Sequence, residues 1–430
     1  MPKTRVVVVG GGFAGVACTR RLAGQPEVEV TLLDQTGFHQ FQPLLYQVAT
    51  AELTPADVRF DLGRMFQSNH NVTTRTGEVM SVDPDHHTAT MASGEVLQGD
   101  VLVLAAGTRP NFLRVQGAEQ NSFPLYSVGD AERVRHRVIE LFDNAAAKPE
   151  LIEQGALNFV VVGGGPTGVE TAGALSELVH DVMPHRFPHL GDAPPRVILI
   201  DTATALLTQF SEQAHDYSST QLGRRGVTLR LGVSVQEVTP DEVRLSDGTT
   251  ILTHLVLWGG GISAAKLAGA AGVPQGRGGR IAVNPDLTVP GFDNVYAIGD
   301  VAAIPYGDEP ALPQLGSVAE QSGDWAAQNI LAVVEGLPRA PFHYRDKGIM
   351  AMIGRKAAVA EIGPHRHELH GRFAFAAWLG VHAQLLHNTG AELNAFHAWA
   401  EEFYLRPHHR SAELLDPSTI DTPRIDWGVH

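Results

Sequence analysis

The chain has 430 residues, enough for two or three domains, with 43% hydrophobic and 18% charged residues, an ordinary globular balance. A net charge of −15 disfavours nucleic acid as a partner, and a single cysteine, Cys18, excludes an internal disulfide, a CxxC redox pair and a thiolate metal cage. Residues 5–9 already read as a buried strand and no run of about 18 apolar residues follows, so neither a signal peptide nor a membrane span is expected. The expected location is cytoplasmic, in solution or peripheral on the inner face of the cell membrane.

In chain order, a strand over 6–9 leads through a glycine turn into a small-residue helix ending near 22. A second strand spans 28–33 and stops at Asp34. Residues 72–82 and 88–96 read as paired strands around an Asp83-Pro84-Asp85 turn, and 101–104 as a buried strand ending at Ala105-Ala106-Gly107. The strand–turn–helix unit recurs at 159–178, followed by a Pro-rich surface excursion over 183–195 and a strand over 197–200 ending at Asp201. Short strands are predicted at 235–238, 243–245 and 250–252, then a buried strand at 255–258 ending at Gly259-Gly260-Gly261. Residues 294–300 form a strand stopping at Gly299-Asp300, with a helix over 317–334. From Pro341 the pattern changes to a β-like start (349–362), an apolar segment (373–386) and a polar tail. Continuous apolar runs such as Val6-Val7-Val8-Val9 suit parallel strands covered on both faces. The predicted class is α/β: two Rossmann-like three-layer nucleotide-binding domains, the second inserted into the first, plus a C-terminal α+β region.

The turns carry the chemistry. Gly10-Gly11-Gly12-Phe13-Ala14-Gly15 matches GxGxxG directly between strand and helix. Gly10 permits the sharp turn, Gly12 lets backbone approach a pyrophosphate, and Gly15 lets helix pack on strand, with Ala14 beside it. Free N–H groups and the helix dipole then hold the phosphates. Asp34, 19 residues after Gly15, is placed to bind a ribose. The second turn is Gly163-Gly164-Gly165-Pro166-Thr167-Gly168, with Gly163, Gly165 and Gly168 in the same roles and Asp201 as its acid. A carboxylate there accepts from a 2′-hydroxyl and repels a 2′-phosphate, so NADH is expected over NADPH. FAD is assigned to the first turn, because Gly299 and Asp300 supply a second contact, to the ribityl chain. Ala106 and Gly107, and Gly260 in the second copy, are further cofactor-binding candidates at strand ends. The boundaries expected are 1–118 and 288–340 for FAD, 119–287 for NADH, and 341–430 for the C-terminal region.

These motifs resemble the type II NADH dehydrogenases, the single-chain NADH:quinone oxidoreductases, over nearly the whole chain. Phe41-Gln42-Pro43-Leu44-Leu45-Tyr46-Gln47 looks like the family's segment beside the flavin, which brings in Gln42. Val161 to Glu170 looks like its NADH turn, and Tyr344-Arg345-Asp346-Lys347-Gly348-Ile349-Met350-Ala351 like its Y-x-D-K-G-x-M-A block. The resemblance implies hydride transfer from NADH to FAD and two electrons to a quinone. It places Asp34 and Asp300 on FAD, Glu170 near flavin and nicotinamide, and Lys347 close to the flavin ring. Read without it, Glu170 is a helix-start acid, Lys347 a surface ion pair, and 41–46 core packing.

One departure matters. Where the family has A-Q-x-x-x-Q lining the quinone pocket, this chain has Gly316-Ser317-Val318-Ala319-Glu320-Gln321. Gln321 matches the second glutamine and completes the catalytic candidates with Glu170 and Lys347. Ser317 replaces the first, and Glu320 adds a charge. Gln314 substitutes only if its loop is rearranged. A soluble NADH oxidoreductase with another acceptor, and a slow FAD/NADH-binding signalling protein, therefore stay open. The C-terminal region holds an apolar stretch, 373–379, that suits a membrane surface. Beyond it His387, Glu392, His397, Glu401 and Glu402 dilute that character, and Arg366, Arg372, Arg406 and Arg410 are balanced by as many acids. Trp378, Leu379, Leu385 and Phe396 alternatively make a homodimer contact or dock onto the main body. His365, His367 and His370 read as a solvated loop, and no metal is expected.

Overall fold

The computed structural model describes residues 2–190, 194–307, 311–363, 365–385, 397–400, 411 and 415. They fall into two compact units. The first comprises residues 1–40, 59–111 and 262–347; the second comprises 41–58, 112–261 and 348–430.

The first unit is built on a five-stranded parallel sheet. Its strand order is Val295–Ala297, Val101–Leu104, Thr4–Val9, Val28–Asp34 and Val72–Thr76. Val6 to Val9 and Val101 to Leu104 are all buried, which is why these runs are apolar without alternation. The helices Phe13–Leu22 and Gly316–Val334 pack closely together. A Cβ at Gly323 would collide with the Ala14 carbonyl oxygen, so glycine permits that approach. The pairing expected over 72–96 is more divided than the sequence suggested. Gly77, at φ +153°, separates Val72–Thr76, which joins the parallel sheet, from Val79–Asp83, which pairs antiparallel with Thr88–Met91. A turn at Gly94 then splits off Val96–Gln98 as a third antiparallel strand.

The second unit repeats the plan. Its parallel sheet runs Phe123–Pro124, Leu255–Trp258, Asn158–Val162, Arg196–Asp201 and Val227–Leu231. A separate antiparallel sheet holds Val235–Val238, Glu242–Leu245 and Thr250–Leu252. The surface excursion expected over 183–195 begins later than the sequence suggested, at exposed Pro188 and His189, because the helix Pro166–Glu177 does not end there. It continues through a π-helical turn, Leu178–Val182, into Met183–Arg186, with Met183 and Phe187 buried. Phe41, Leu44, Leu45 and Tyr46 are core residues of this unit, and the helix Leu45–Ala49 packs on the helix Val128–Ala147.

The C-terminal part of the second unit is a hairpin, Gly348–Gly354 with Ala357–Ile362, an edge strand His367–His370, and the helix Gly371–Leu385. His367 and His370 thus lie on an exposed strand, not in a loop. Among the described residues no group of three or more His, Cys, Asp or Glu is placed to hold a metal ion. Trp378 is fully buried, so it docks inside its own unit. Among the described residues no helix is long and apolar enough to cross a membrane. His387, Glu392, Phe396, Glu401, Glu402, Arg406 and Arg410 lie outside the described residues.

Candidate functional site

Each unit carries one glycine turn, and the two turns superimpose in their local logic. Gly10 and Gly163 have φ of +111° and +112°, the left-handed region where a side chain is strained. A Cβ at Gly15 or Gly168 would collide with the carbonyl oxygen of Gly10 or Gly163, so strand and helix touch there. At Gly12 and Gly165 a Cβ would meet nothing within 4 Å, leaving the open side where a phosphate group can approach. The first helical bonds run from the Val16 N–H to Gly12 at 2.9 Å and from the Val169 N–H to Gly165 at 3.0 Å, so each helix opens at that glycine.

The two acids hold their turns from below. Asp34 Oδ2 accepts the Gly11 N–H at 2.9 Å, while Oδ1 accepts from Thr36 N, Thr36 Oγ1 and Gly37 N at 2.8, 2.8 and 3.0 Å. Asp201 Oδ2 accepts the Gly164 N–H at 2.5 Å and Oδ1 the Ala203 N–H at 2.6 Å. Each acid therefore shapes its own turn. Each Oδ2 takes one N–H in these bonds and has a second lone pair for a ribose hydroxyl.

Other cofactor-binding candidates in the first unit cluster around that turn. A Cβ at Gly10 would collide with the Ala105 carbonyl, Ala106 follows directly, and the Gly107 carbonyl accepts from Ala265 N at 3.1 Å. Gly299, at φ +66°, donates to the buried Ser322 Oγ at 3.0 Å, and its missing Cβ makes room for Ala14. Asp300 is half-buried as a residue, but its Oδ1 is fully buried and has no hydrogen-bond partner among the described residues. Burial pushes its pKa up to about 6, with Arg280 pulling the other way. A buried carboxylate oxygen without a donor is costly. A polyhydroxyl chain such as ribityl supplies that donor, so these residues fit FAD. In the second unit, Gly260 follows Gly259, whose carbonyl lies where a Gly163 side chain would be. Gln42 is exposed and donates to the Tyr126 carbonyl at 3.3 Å.

Glu170 is not a helix-start acid acting on its own helix. Its side chain is buried, and Oε1 accepts from Met352 N at 3.0 Å and Trp378 Nε1 at 3.3 Å. Burial pushes its pKa up to about 8, and those two donors hold it back from rising further. One face of the helix Pro166–Glu177 is fitted to the strand Gly348–Gly354 through Glu170, Gly173 and Glu177. A Cβ at Gly173 would collide with the Ile353 carbonyl, and Glu177 Oε1 accepts from Arg355 N at 2.7 Å and Arg225 Nε at 3.0 Å. Around Trp378, the His382 ring stacks at 3.9 Å, and Trp399 and Tyr46 meet it edge-on. Burial lowers the His382 pKa to about 4, so the ring is neutral near pH 7.

Lys347, Gln321 and Ser317 all lie in the first unit. Gln321 grips the Y-x-D-K-G block by its backbone, donating to the Arg345 carbonyl at 3.1 Å and accepting the Arg345 N–H at 3.0 Å. Lys347 is exposed and lies 3.8 Å from Glu320, a loose ion pair. The Ser317 hydroxyl bonds the Tyr344 hydroxyl at 2.9 Å. Gln314 does not replace the absent glutamine: its amide donates to the Asp300 carbonyl at 3.0 Å. Sequence reading missed His39, whose Nδ1 meets the Gly11 carbonyl at 3.1 Å, and Trp378 and Met352 as partners of Glu170. A polar ring between the acid Asp34 and the Phe41 segment was the available signal for His39.

Residues 4–323 match the family described as pyridine nucleotide-disulphide oxidoreductase. The type II NADH:quinone oxidoreductase Ndh of Mycobacterium tuberculosis is 32% identical, over 98% of this chain and 92% of that protein. The type II NADH:quinone oxidoreductase of Haemophilus influenzae is 26% identical, over 89% and 93%. In fold, the chain is similar to NDH2 from Plasmodium falciparum in complex with NADH, with a TM-score of 0.85 at 18% identity over 94% of this chain and 99% of that one. The sulfide:quinone oxidoreductase from Aquifex aeolicus gives a TM-score of 0.71 at 21% identity, over 94% and 96%. The disulphide of the family's description is absent: the one cysteine, Cys18, is buried and its thiol is pushed up to about 12. By the family match and the mycobacterial relative, the chain belongs to the pyridine nucleotide-disulphide oxidoreductase family and, within it, to the type II NADH:quinone oxidoreductases.

Proposed function

We propose that the chain oxidises NADH through a bound FAD and delivers the electrons to a quinone. The observation that carries this is the repeated cradle: each unit has a glycine turn pinned by an acid, and the first adds the unpartnered Asp300 Oδ1. Residues 1–118 and 288–340 serve FAD, through Gly10, Gly12, Ala14, Gly15, Asp34, Ala106, Gly107, Gly299 and Asp300, with Gln42 beside the flavin. Residues 119–287 serve NADH through Gly163, Gly165, Gly168, Asp201 and Gly260. Bound FAD supplies the two-electron carrier, so that NADH, a quinone and one proton become NAD⁺ and a quinol.

The protein's part is binding, orientation and proton holding. With Oε1 of Glu170 occupied by two donors, its proton sits on Oε2 below about pH 8. That proton is a reservoir for the one the reaction consumes. Lys347, only loosely paired, brings a positive charge to the acceptor side, where negative charge develops. Gln321 acts as a positioning residue, holding the Arg345 backbone two residues before Lys347. The helix Gly371–Leu385 carries an outward apolar face, with Phe373 81% exposed and Val381 also exposed, and Leu369 of the preceding strand is exposed too. This surface supports peripheral attachment to the cytoplasmic face of the membrane, where quinone resides.

Anaerobic addition of NADH should bleach the flavin absorbance, and a short-chain quinone should restore it. A flavin that NADH does not bleach overturns the donor side; one that quinone does not restore overturns the acceptor side. The Ser317–Tyr344 hydroxyl pair, in place of a glutamine, favours a second reading with a non-quinone acceptor. Restoration by oxygen or a dye, and not by quinone, selects it.

A further inference from the structure

The two glycine turns are anchored alike except at one atom. In both, the middle glycine gives its N–H to the acid. In both, its carbonyl oxygen also receives a donor. For Gly164 the donor is a backbone amide, Leu207 N at 2.8 Å. For Gly11 it is a side chain, His39 Nδ1 at 3.1 Å. A carbonyl oxygen only accepts, so Nδ1 carries the hydrogen in this contact. His39 follows Asp34 by five residues and Leu207 follows Asp201 by six, so the donors arise at matching places in the repeat.

The peptide group turns this contact into an aiming device. The Gly11–Gly12 peptide is trans, so its C=O and N–H point in opposite directions. A donor fixed on the Gly11 oxygen therefore turns the Gly12 N–H to the other side. The Gly12 Cα beside that N–H is uncovered, since a Cβ there would meet nothing within 4 Å, so a phosphate group can come close to this peptide. The imidazole is itself fixed. It is buried, with the Phe13 ring edge-on at 5.1 Å and Phe60 stacked at 6.3 Å. His39 and Phe60 are register partners in the short strand pair Phe38–Gln40 and Arg59–Asp61.

We propose that His39 is a positioning residue for the flavin nucleotide, its Nδ1–H fixing the Gly11–Gly12 peptide so that the Gly12 N–H faces the pyrophosphate. The proposal rests on the assignment of FAD to the first turn. It makes the flavin cradle, unlike the NADH cradle, dependent on a side chain at the carbonyl of its middle glycine, where Gly164 is held by a backbone amide.

The test compares His39→Leu with His39→Asn, whose amide nitrogen stands near the position of Nδ1. Holoprotein is diluted, and released FAD is read by recovery of its free fluorescence. His39→Leu should bind FAD about tenfold more weakly than the parent, and His39→Asn should recover most of that loss. With FAD added to saturation, His39→Leu should keep the parental KM for NADH. Thermal unfolding of both variants identifies general instability. Parental FAD affinity in His39→Leu, or equal loss in folded His39→Asn, overturns the role of His39 alone. A parent protein that releases no FAD on denaturation overturns the FAD assignment, and this inference with it.

Discussion

Glu170 and His382 share one buried cluster, joined through Trp378, yet burial moves them in opposite directions. Removing water penalises whichever form is charged, so the carboxyl rises to about 8 and the imidazole falls to about 4. The folded state then holds the Glu170 proton more tightly than the unfolded chain does. Stability from this group falls as pH rises from about 4.5 to about 8. For His382 the unfolded chain binds the proton better, so stability is gained as pH rises from about 4 to about 6.5. Between about 6.5 and 8 only Glu170 of the two still titrates in the folded state. Denaturant unfolding over that window should show the parent losing stability relative to Glu170→Gln; a constant difference contradicts the buried proton. Asp201 offers a second residue-scale test. Asp201→Ala should cut the preference for NADH over NADPH in kcat/KM by about tenfold. An unchanged ratio means that another residue reads the ribose. Asp34 and Asp201 were legible in sequence because strand, turn, helix and acid lie within one short repeat. His39 on Gly11 and Trp378 on Glu170 were not, since the latter pair is 208 residues apart and only folding brings it together.

At the scale of elements, close backbone approaches explain why small residues stand where they do. Gly173 lets the helix Pro166–Glu177 meet the hairpin strand at Ile353. Gly173→Ala should cost about 1–3 kcal/mol of unfolding free energy, the usual range for overpacking. Gly223 is the internal control: it lies exposed in the helix Glu212–Arg224 with nothing near its missing side chain. Gly223→Ala should stabilise by about 0.5–1 kcal/mol. Equal effects of the two substitutions would contradict the packing described for Gly173. The buried parallel strands were readable because a two-sided core demands unbroken apolar runs. The stretch 72–82 misled for a physical reason. Its residues on both sides of Gly77 are rich in β-branched Val and Thr, and β-propensity says nothing about which sheet a strand joins. The helical continuation over 178–186 was hidden by Pro184, which is tolerated at the first turn of the short helix Met183–Arg186.

For the whole molecule, the repeated cradle and the family membership specify the donor side closely, while the acceptor side departs at Ser317. The outward apolar face of Gly371–Leu385 bears on where that acceptor is met. The parent protein should float with neutral phosphatidylcholine vesicles, and Phe373→Asp should stay at the bottom of the gradient. A parent that does not float removes the membrane surface from the account. The most direct test of the central claim is steady-state NADH oxidation by the FAD-loaded protein with a short-chain quinone, set against oxygen alone. The expected result is rapid NADH-dependent quinone reduction with little oxygen consumption. A yellow protein that NADH reduces but that turns over with no quinone would contradict it.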